Sequence, residues 1–441
     1  MISIDRLAEL QARESRLVST TGELESTNIP QGRSFSAELK YRSRWLVVVG
    51  AILIQLSLGS LYSWSVFVKP LLTAFPGSTS TQVSLPFTIA LAVFSVTMVF
   101  AGLWQDRRGP KIVATAGGLV LGLGNILASQ AVRLELVCAT YGVLGGIGIG
   151  LAYVCPIAAC IKWFPDKRGL VSGLAVAGFG AGSFFYAQFA NYLIGLGSPE
   201  TSWRQAFIIL GAIYSISILA GAQLLRNPPS GWLPAGWSSS QSSAKTIASG
   251  YTWKEMVKTG TYYKLWAMFA FAASSGLMVI GHLSPFGQES GLTAAEAATI
   301  VGVLALFNGA GRITWGFISD RIGRRKTMLA MFVLNAAVMF LLREMGRTIF
   351  LLTTAAAIVG FCFGGTLAIF PSATADSFGT KYLGINYGLM FTAYGVAGII
   401  GPVIGALVHD LSGTYVYAFL MAATLSVMSS ILSLTLRTKG K

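Results

Sequence analysis

Charge is what this sequence has least of: 11% of its 441 residues are Asp, Glu, Lys or Arg, against 54% hydrophobic. A charged share so far below the usual quarter excludes an ordinary soluble domain and leaves a helical membrane protein of several spans. Histidine is scarcer still, with two residues, and the four cysteines, Cys138, Cys155, Cys160 and Cys362, all stand inside apolar runs. They have neither metal-type spacing nor a paired framework, so zinc chemistry and a disulfide scaffold are excluded and they read as small core residues. No nucleophile constellation is visible, and the Gly-rich runs lie inside apolar stretches rather than opening a phosphate loop. The reading is a protein that is not an enzyme and takes no cofactor and no metal.

Acidic residues are few as well, 17 against 32 basic, for a formal net charge of +15. Nucleic acid is the usual partner of such a surplus, but the positions exclude it, because the basic residues sit in short segments between apolar runs. The first 44 residues lack the apolar core of a secretory leader and mix seven basic with six acidic side chains, which places the amino terminus in the cytoplasm. This tail reads as a solvated extension.

About 20 consecutive apolar residues span a bilayer, and twelve such runs are present. Six come first: Trp45–Val68, Ser84–Trp104, Ile112–Ala131, Leu136–Ile161, Gly169–Ile194 and Trp203–Leu225. Six more follow a long polar segment: Tyr262–Leu283, Glu296–Ser319, Thr327–Leu342, Thr348–Pro371, Tyr382–Val408 and Tyr415–Leu436. With the amino terminus inside, the outer loops hold only Lys69, Arg133, Arg204, Arg343 and Arg347. Arg312 is embedded, which leaves 26 of the 32 basic residues inside. Both termini are therefore expected in the cytoplasm. The organisation is a cytoplasmic tail (1–44), a six-helix half (45–225), a Ser/Pro/Gly-rich cytoplasmic linker (226–261), a second six-helix half (262–436) and a short cytoplasmic tail (437–441).

An internal repeat supports two halves. Gly102-Leu-Trp-Gln-Asp106-Arg107-Arg108-Gly109 after the second run matches Gly316-Phe-Ile-Ser-Asp320-Arg321-Ile322-Gly323 after the eighth, at an offset of 214 residues. Gly169-Leu-Val-Ser-Gly173-Leu matches Gly384-Ile-Asn-Tyr-Gly388-Leu at 215. Parallel halves with a site between them near mid-membrane form a transporter architecture.

The twin G-x-x-x-D-R-x-G segments, the twelve spans and the central loop resemble the major facilitator superfamily over essentially the whole chain. The resemblance implies an all-α integral membrane fold of two pseudo-symmetric six-helix halves. Gly59-Ser-Leu-Tyr62-Ser-Trp64 in the first helix, Lys162-Trp-Phe-Pro165-Asp-Lys-Arg-Gly169 after the fourth and Asn308-Gly-Ala-Gly-Arg312 in the eighth are similar to the oxalate/formate antiporter family of anion carriers. From the superfamily, Asp106 with Arg107 and Asp320 with Arg321 are expected to latch neighbouring helices in one conformation and release them in the other. Charges that merely set topology would look the same. The glycines at four-residue spacing in the fourth and fifth helices fit static close packing and sliding equally well.

Arg312 is the one basic side chain deep within a span, every other lying at or beyond a span's boundary. A cation there costs about 2.5–3.5 kcal/mol and usually marks function. All 17 acidic residues fall in tails, loops or helix ends, so no embedded carboxylate is expected beside it, and its planar fork suits a substrate carboxylate. Its repeat-related position is Met98, so the feature is not part of the duplicated scaffold. Asn308, one turn earlier on the same face, either orients the guanidinium, bonds the substrate or makes an interhelical bond. The family resemblance implies aromatic walls, with Tyr62, Tyr153, Phe363 and Phe391 as candidates. Oxalate carriers of the family place a second cation in the eleventh helix, a lysine in an Ala-Lys-Gly context, where this chain reads Ala393-Tyr394-Gly395. One fixed charge matches one carboxylate, which favours formate-, lactate- or pyruvate-like monocarboxylates over oxalate.

The resulting expectation is a secondary transporter of the plasma (inner) membrane. It would be a monomer that moves a small organic anion by alternating access, with a proton or counter-anion as co-substrate. Without an embedded carboxylate, a proton would enter with the substrate or through His282 and His409, which otherwise read as interfacial. An exporter of hydrophobic compounds and a non-transporting sensor on the same fold are the alternatives.

Overall fold

The computed structural model describes residues 35–198, 201–229, 232, 234, 250–346 and 348–436. The expected amino-terminal tail up to residue 34, most of the expected linker, Arg347 and the tail 437–441 lie outside the described residues.

Among the described residues, twelve helices have membrane-spanning length and apolarity: α1 (Arg44–Ser63), α2 (Ser80–Arg108), α3 (Pro110–Ala128), α4 (Leu134–Trp163), α5 (Arg168–Gly195), α6 (Ser202–Leu224), α7 (Gly260–Glu289), α8 (Ala294–Ile322), α9 (Arg324–Met345), α10 (Ile349–Phe378), α11 (Leu383–Ser412) and α12 (Val416–Leu434). No strand occurs among the described residues. Helix is the form these runs must take, because only internal backbone bonding satisfies every N–H and C=O in hydrocarbon. Polar starts are capped where water can reach them. Thr79 with Gln82 opens α2 and Thr293 with Glu296 opens α8, each as a reciprocal capping box.

The repeat is visible in the backbone. α2 stops at Gly109 (φ 85°) and α8 at Gly323 (φ 89°), positions 214 apart where only glycine is comfortable. Pro156 lies inside α4 and Pro371 inside α10, 215 apart, and each removes one helical hydrogen bond. Two expectations need correcting. The second and eighth runs do not end at Trp104 and Ser319, because α2 runs to Arg108 and α8 to Ile322, so Asp106 and Asp320 sit on the last helical turn. The run Trp45–Val68 is not one helix either. It tightens into a 3-10 turn over Ser60–Ser63 and restarts as a short helix, Ser65–Ala74.

The two sets of six helices meet mainly along α2 with α11 and α5 with α8. The linker end is tied to the second half: Tyr251 N donates to Phe378 O at 2.9 Å, and Asn386 Nδ2 donates to Tyr251 O at 2.9 Å. The end of the bundle that carries Asp106 and Asp320 is called the basic end below.

Candidate functional site

The repeated motifs are each other's docking surfaces. At the basic end, Asp106 Oδ2 accepts the Ile385 amide of α11 at 2.9 Å, and its Oδ1 lies 3.4 Å from Lys162 Nζ on α4. In the other half, the two oxygens of Asp320 accept the Gly169 and Leu170 amides of α5, both at 2.8 Å, and Oδ1 pairs with Arg324 at 2.8 Å. A carboxylate on the first amides of a helix satisfies donors that have no intrahelical partner and meets the positive end of the helix dipole. Asp376 adds a third link between the halves, 2.5 Å from Arg168 and 2.8 Å from Arg324.

The cations differ from the expected ones. Arg107 and Arg321 follow their aspartates by one residue and are turned about 100° around the helix. Arg321 lies over its own Phe317 ring at 4.2 Å and Arg107 lines an outer groove. Lys162 and Arg324 take the ion-pair role.

Glycine makes this docking possible. A Cβ on Gly102 would lie 2.2 Å from Gly384 O, and one on Gly169 would lie 2.2 Å from Gly316 O. These separations are shorter than any side chain tolerates, so the first motif of each half is pressed against the second motif of the other.

Arg312 lies in this seam. Gly173 of α5 touches its backbone carbonyl, the side chain runs along α5, and the guanidinium rests beside Gly180, where an added Cβ would be 3.5 Å from Cζ. Nε donates to Asn308 Oδ1 at 2.9 Å and Nη1 to Val176 O at 2.5 Å. Asn308 thus contacts the guanidinium, as the first of its three expected roles requires. The residue is 1% exposed, and among the described residues no ion pair includes it. Two of five N–H groups are engaged, so the end-on fork of Nη1 and Nη2 keeps donors for a ligand. Met98, its repeat-related residue, is fully buried.

An aromatic cage stands beside it. Tyr62, Phe94, Tyr153, Phe179, Leu367, Phe391 and Tyr394 enclose a cavity of about 10 Å³, enough for about one water molecule. Tyr153 is the hub, with ring centroids 5.0 Å from Phe94, 5.4 Å from Phe179 and 5.3 Å from Phe391. Tyr62 and Tyr394 close it with a 2.6 Å bond between their hydroxyls, joining α1 to α11. The 3-10 turn delivers Tyr62: a Cβ on Gly59 would lie 1.9 Å from Phe179 O, so α1 presses on α5 just before the turn.

Four of the expected aromatics, Tyr62, Tyr153, Phe391 and Tyr394, therefore meet. Phe363 does not line the cage; it packs where a Cβ on Gly276 of α7 would be 2.3 Å from its ring. Arg312 is not a lining residue either. Phe179 faces the cage and the next residue, Gly180, faces the guanidinium, so one step of α5 separates the cation from the cage. Phe94, Phe179 and Leu367 were missed, and nothing in an apolar run marks which residues line a cavity. Tyr387 was missed too: it is fully buried, its hydroxyl has no hydrogen-bond partner among the described residues, and its ring is 5.8 Å from that of Phe391. The arrangement pairs a buried, under-bonded cation with phenolic hydroxyls and apolar faces. That can hold a small anion having one charged end.

Comparison with known proteins bears on the same point. The family model described as Major Facilitator Superfamily matches residues 45–315 and 265–441. The oxalate:formate antiporter of Oxalobacter formigenes is 31% identical over 398 residues, covering 89% of this chain and 91% of its own. Monocarboxylate transporter 13 of Rattus norvegicus is 25% identical over 397 residues, covering 89% and 88%. Among solved structures, a double Trp mutant of XylE superposes with a TM-score of 0.74 over 90% of this chain and 97% of that one, at 15% identity, a likeness of fold alone.

Proposed function

The chain belongs to the major facilitator superfamily, and on that premise we propose that it carries a small monocarboxylate of the formate, lactate or pyruvate kind by alternating access. The carrying observation is Arg312, a guanidinium 1% exposed and outside every ion pair of the described residues. A buried cation without a counterion is costly unless a ligand supplies the charge. A carboxylate on the end-on fork of Nη1 and Nη2 neutralises it, and the phenols and phenyl faces of the cage receive the rest of the molecule.

Charge count supports the monoanion. A dicarboxylate would put its second charge against the Tyr62–Tyr394 hydroxyl pair, with no second cation there. Hydroxyls compensate a buried carboxylate far less well than a guanidinium does. The relatives include both an oxalate:formate antiporter and a monocarboxylate transporter, and Tyr394 inclines this chain toward the second kind. The cage has room for about one water in the present conformation, so the substrate enters when Tyr62 and Tyr394 part.

The Asp106, Asp320 and Asp376 links hold the basic end closed here, and their release is the other half of the cycle. Transport in this account needs no covalent step and no nucleotide. The co-substrate is a counter-anion or a proton, the protein sits as a monomer in the inner membrane, and both termini face the cytoplasm. The test is uptake of labelled formate, lactate, pyruvate and oxalate by proteoliposomes, with and without a pH gradient and with counter-substrate inside. Uptake of the monocarboxylates above oxalate supports this reading; oxalate as the preferred substrate, or accumulation of a lipophilic cation with no carboxylate flux, overturns it.

A further inference from the structure

On the outer face of the basic end, Phe100, Leu103, Trp104, Arg107, Arg108 and Ile112 line a groove of about 500 Å³. The first five follow positions i, i+3, i+4, i+7 and i+8 of α2, which is one continuous helical stripe. Ile112 joins them from α3 across the Gly109 turn. The stripe is apolar toward mid-membrane and doubly cationic at its end. Phe100 is 66% exposed, Ile112 50% and Trp104 38%, and both arginines are exposed. Among the described residues, no ion pair includes Arg107 or Arg108.

The repeat separates this groove from the shared scaffold. Subtracting 214 from Phe317, whose ring lies 4.2 Å beneath Arg321, gives Leu103. Arg321 is thus occupied by an aromatic partner on its own helix, while Arg107 faces a leucine. The counterpart of Arg108 is Ile322, so the second cation is also peculiar to this half. The latching carboxylates repeat between the halves, and the arginine pair over an apolar trough does not.

We propose that this groove is a binding site for one anionic phospholipid, its phosphodiester between Arg107 and Arg108 and an acyl chain along Phe100, Leu103 and Trp104. Arginine forks match phosphate oxygens, and a helix end with paired cations lies at headgroup depth while the preceding two turns lie among acyl chains. The site shares α2 with Asp106, which faces α11, so an occupant would brace the helix that carries that latch. The inference is independent of the transported substrate.

Native mass spectrometry of the full chain, released from nanodiscs of phosphatidylglycerol and phosphatidylcholine in equal parts, tests it. One phosphatidylglycerol should be retained in preference to phosphatidylcholine. Arg107→Ala with Arg108→Ala should lower that retention by roughly 30-fold, on the usual contribution of two basic residues at an anionic surface. Leu103→Phe, which keeps both charges but offers Arg107 a ring like that under Arg321, should lower it by a smaller factor. Equal retention of the two lipids overturns the proposal, as does retention unchanged in the double variant. Displacement of the lipid by millimolar glycerol phosphate also overturns it, since a site for free phosphate would not need the trough.

Discussion

Replacing Asp320 by Asn should open the basic end. The two carboxylate oxygens accept the Gly169 and Leu170 amides at 2.8 Å each across the seam, and the side chain is 13% exposed, so solvent screens it little. A hydrogen bond to a charged group contributes about 1.5–3 kcal/mol. An asparagine keeps one acceptor oxygen without its charge, so the loss is about 2 kcal/mol, or roughly 30-fold in the ratio of open to closed molecules. The Ile385 amide reaches Asp106 at 2.9 Å, against 2.8 Å for each of the two amides on Asp320, and the nearest cation is 3.4 Å away rather than 2.8 Å, so Asp106→Asn should shift the ratio less.

The reporter is Ser372→Cys. Ser372 is fully buried between α5 and α10, with its hydroxyl 2.9 Å from that of Ser172, and alkylation requires the seam to part. The alkylation rate in nanodiscs should rise roughly 30-fold with Asp320→Asn, and less with Asp106→Asn. A rate unchanged by Asp320→Asn, or a larger effect from Asp106→Asn, would refute the latch geometry.

Three other outcomes follow from the cage and the α1 crossing. Tyr62→Phe and Tyr394→Phe should each change the apparent affinity for the carried carboxylate, and a double-mutant cycle should show coupling of about 1 kcal/mol; additive effects would mean the hydroxyls do not bond. Tyr394→Lys should turn selectivity in competition uptake toward dicarboxylates, and unchanged selectivity would place that position away from the anion. Gly59→Ala puts a Cβ 1.9 Å from Phe179 O and should lower the thermal unfolding midpoint in detergent, whereas a midpoint equal to wild type would show that α1 can draw back from α5.

How much of this was legible in the sequence depends on whether the signal was local. Twelve apolar runs, the 214-residue repeat and Arg312 without an acidic neighbour are each stated by residue type and spacing. The break in α1 was not, because it depends on Gly59 meeting the Phe179 carbonyl 120 residues away in the chain. The same limit explains the latch. Asp106 and Asp320 stand out as acidic residues in a basic motif, but their principal partners are backbone amides of Ile385, Gly169 and Leu170, and backbone carries no sequence signature. Arg107 and Arg321 were favoured by adjacency, which on a helix places them on a different face.

Within the cage, Tyr62, Tyr153 and Phe391 were named through the family resemblance, and Tyr394 because it stands where oxalate carriers of that family have a lysine. Phe94 and Phe179 were not, because a phenylalanine lining a cavity reads like one facing lipid. Phe363 shows the converse error, an aromatic of the right kind in the right helix that packs against α7 instead.

The central claim is that Arg312 holds the carboxylate, and equilibrium binding tests it most directly. Titration calorimetry on the purified chain in detergent, with the monocarboxylate that proteoliposomes take up best, should give saturable binding to wild type. Binding should be weaker by about tenfold with Arg312→Lys, which keeps the charge and loses the fork, and absent with Arg312→Gln at an unchanged unfolding midpoint. Wild-type affinity in Arg312→Gln would contradict the account.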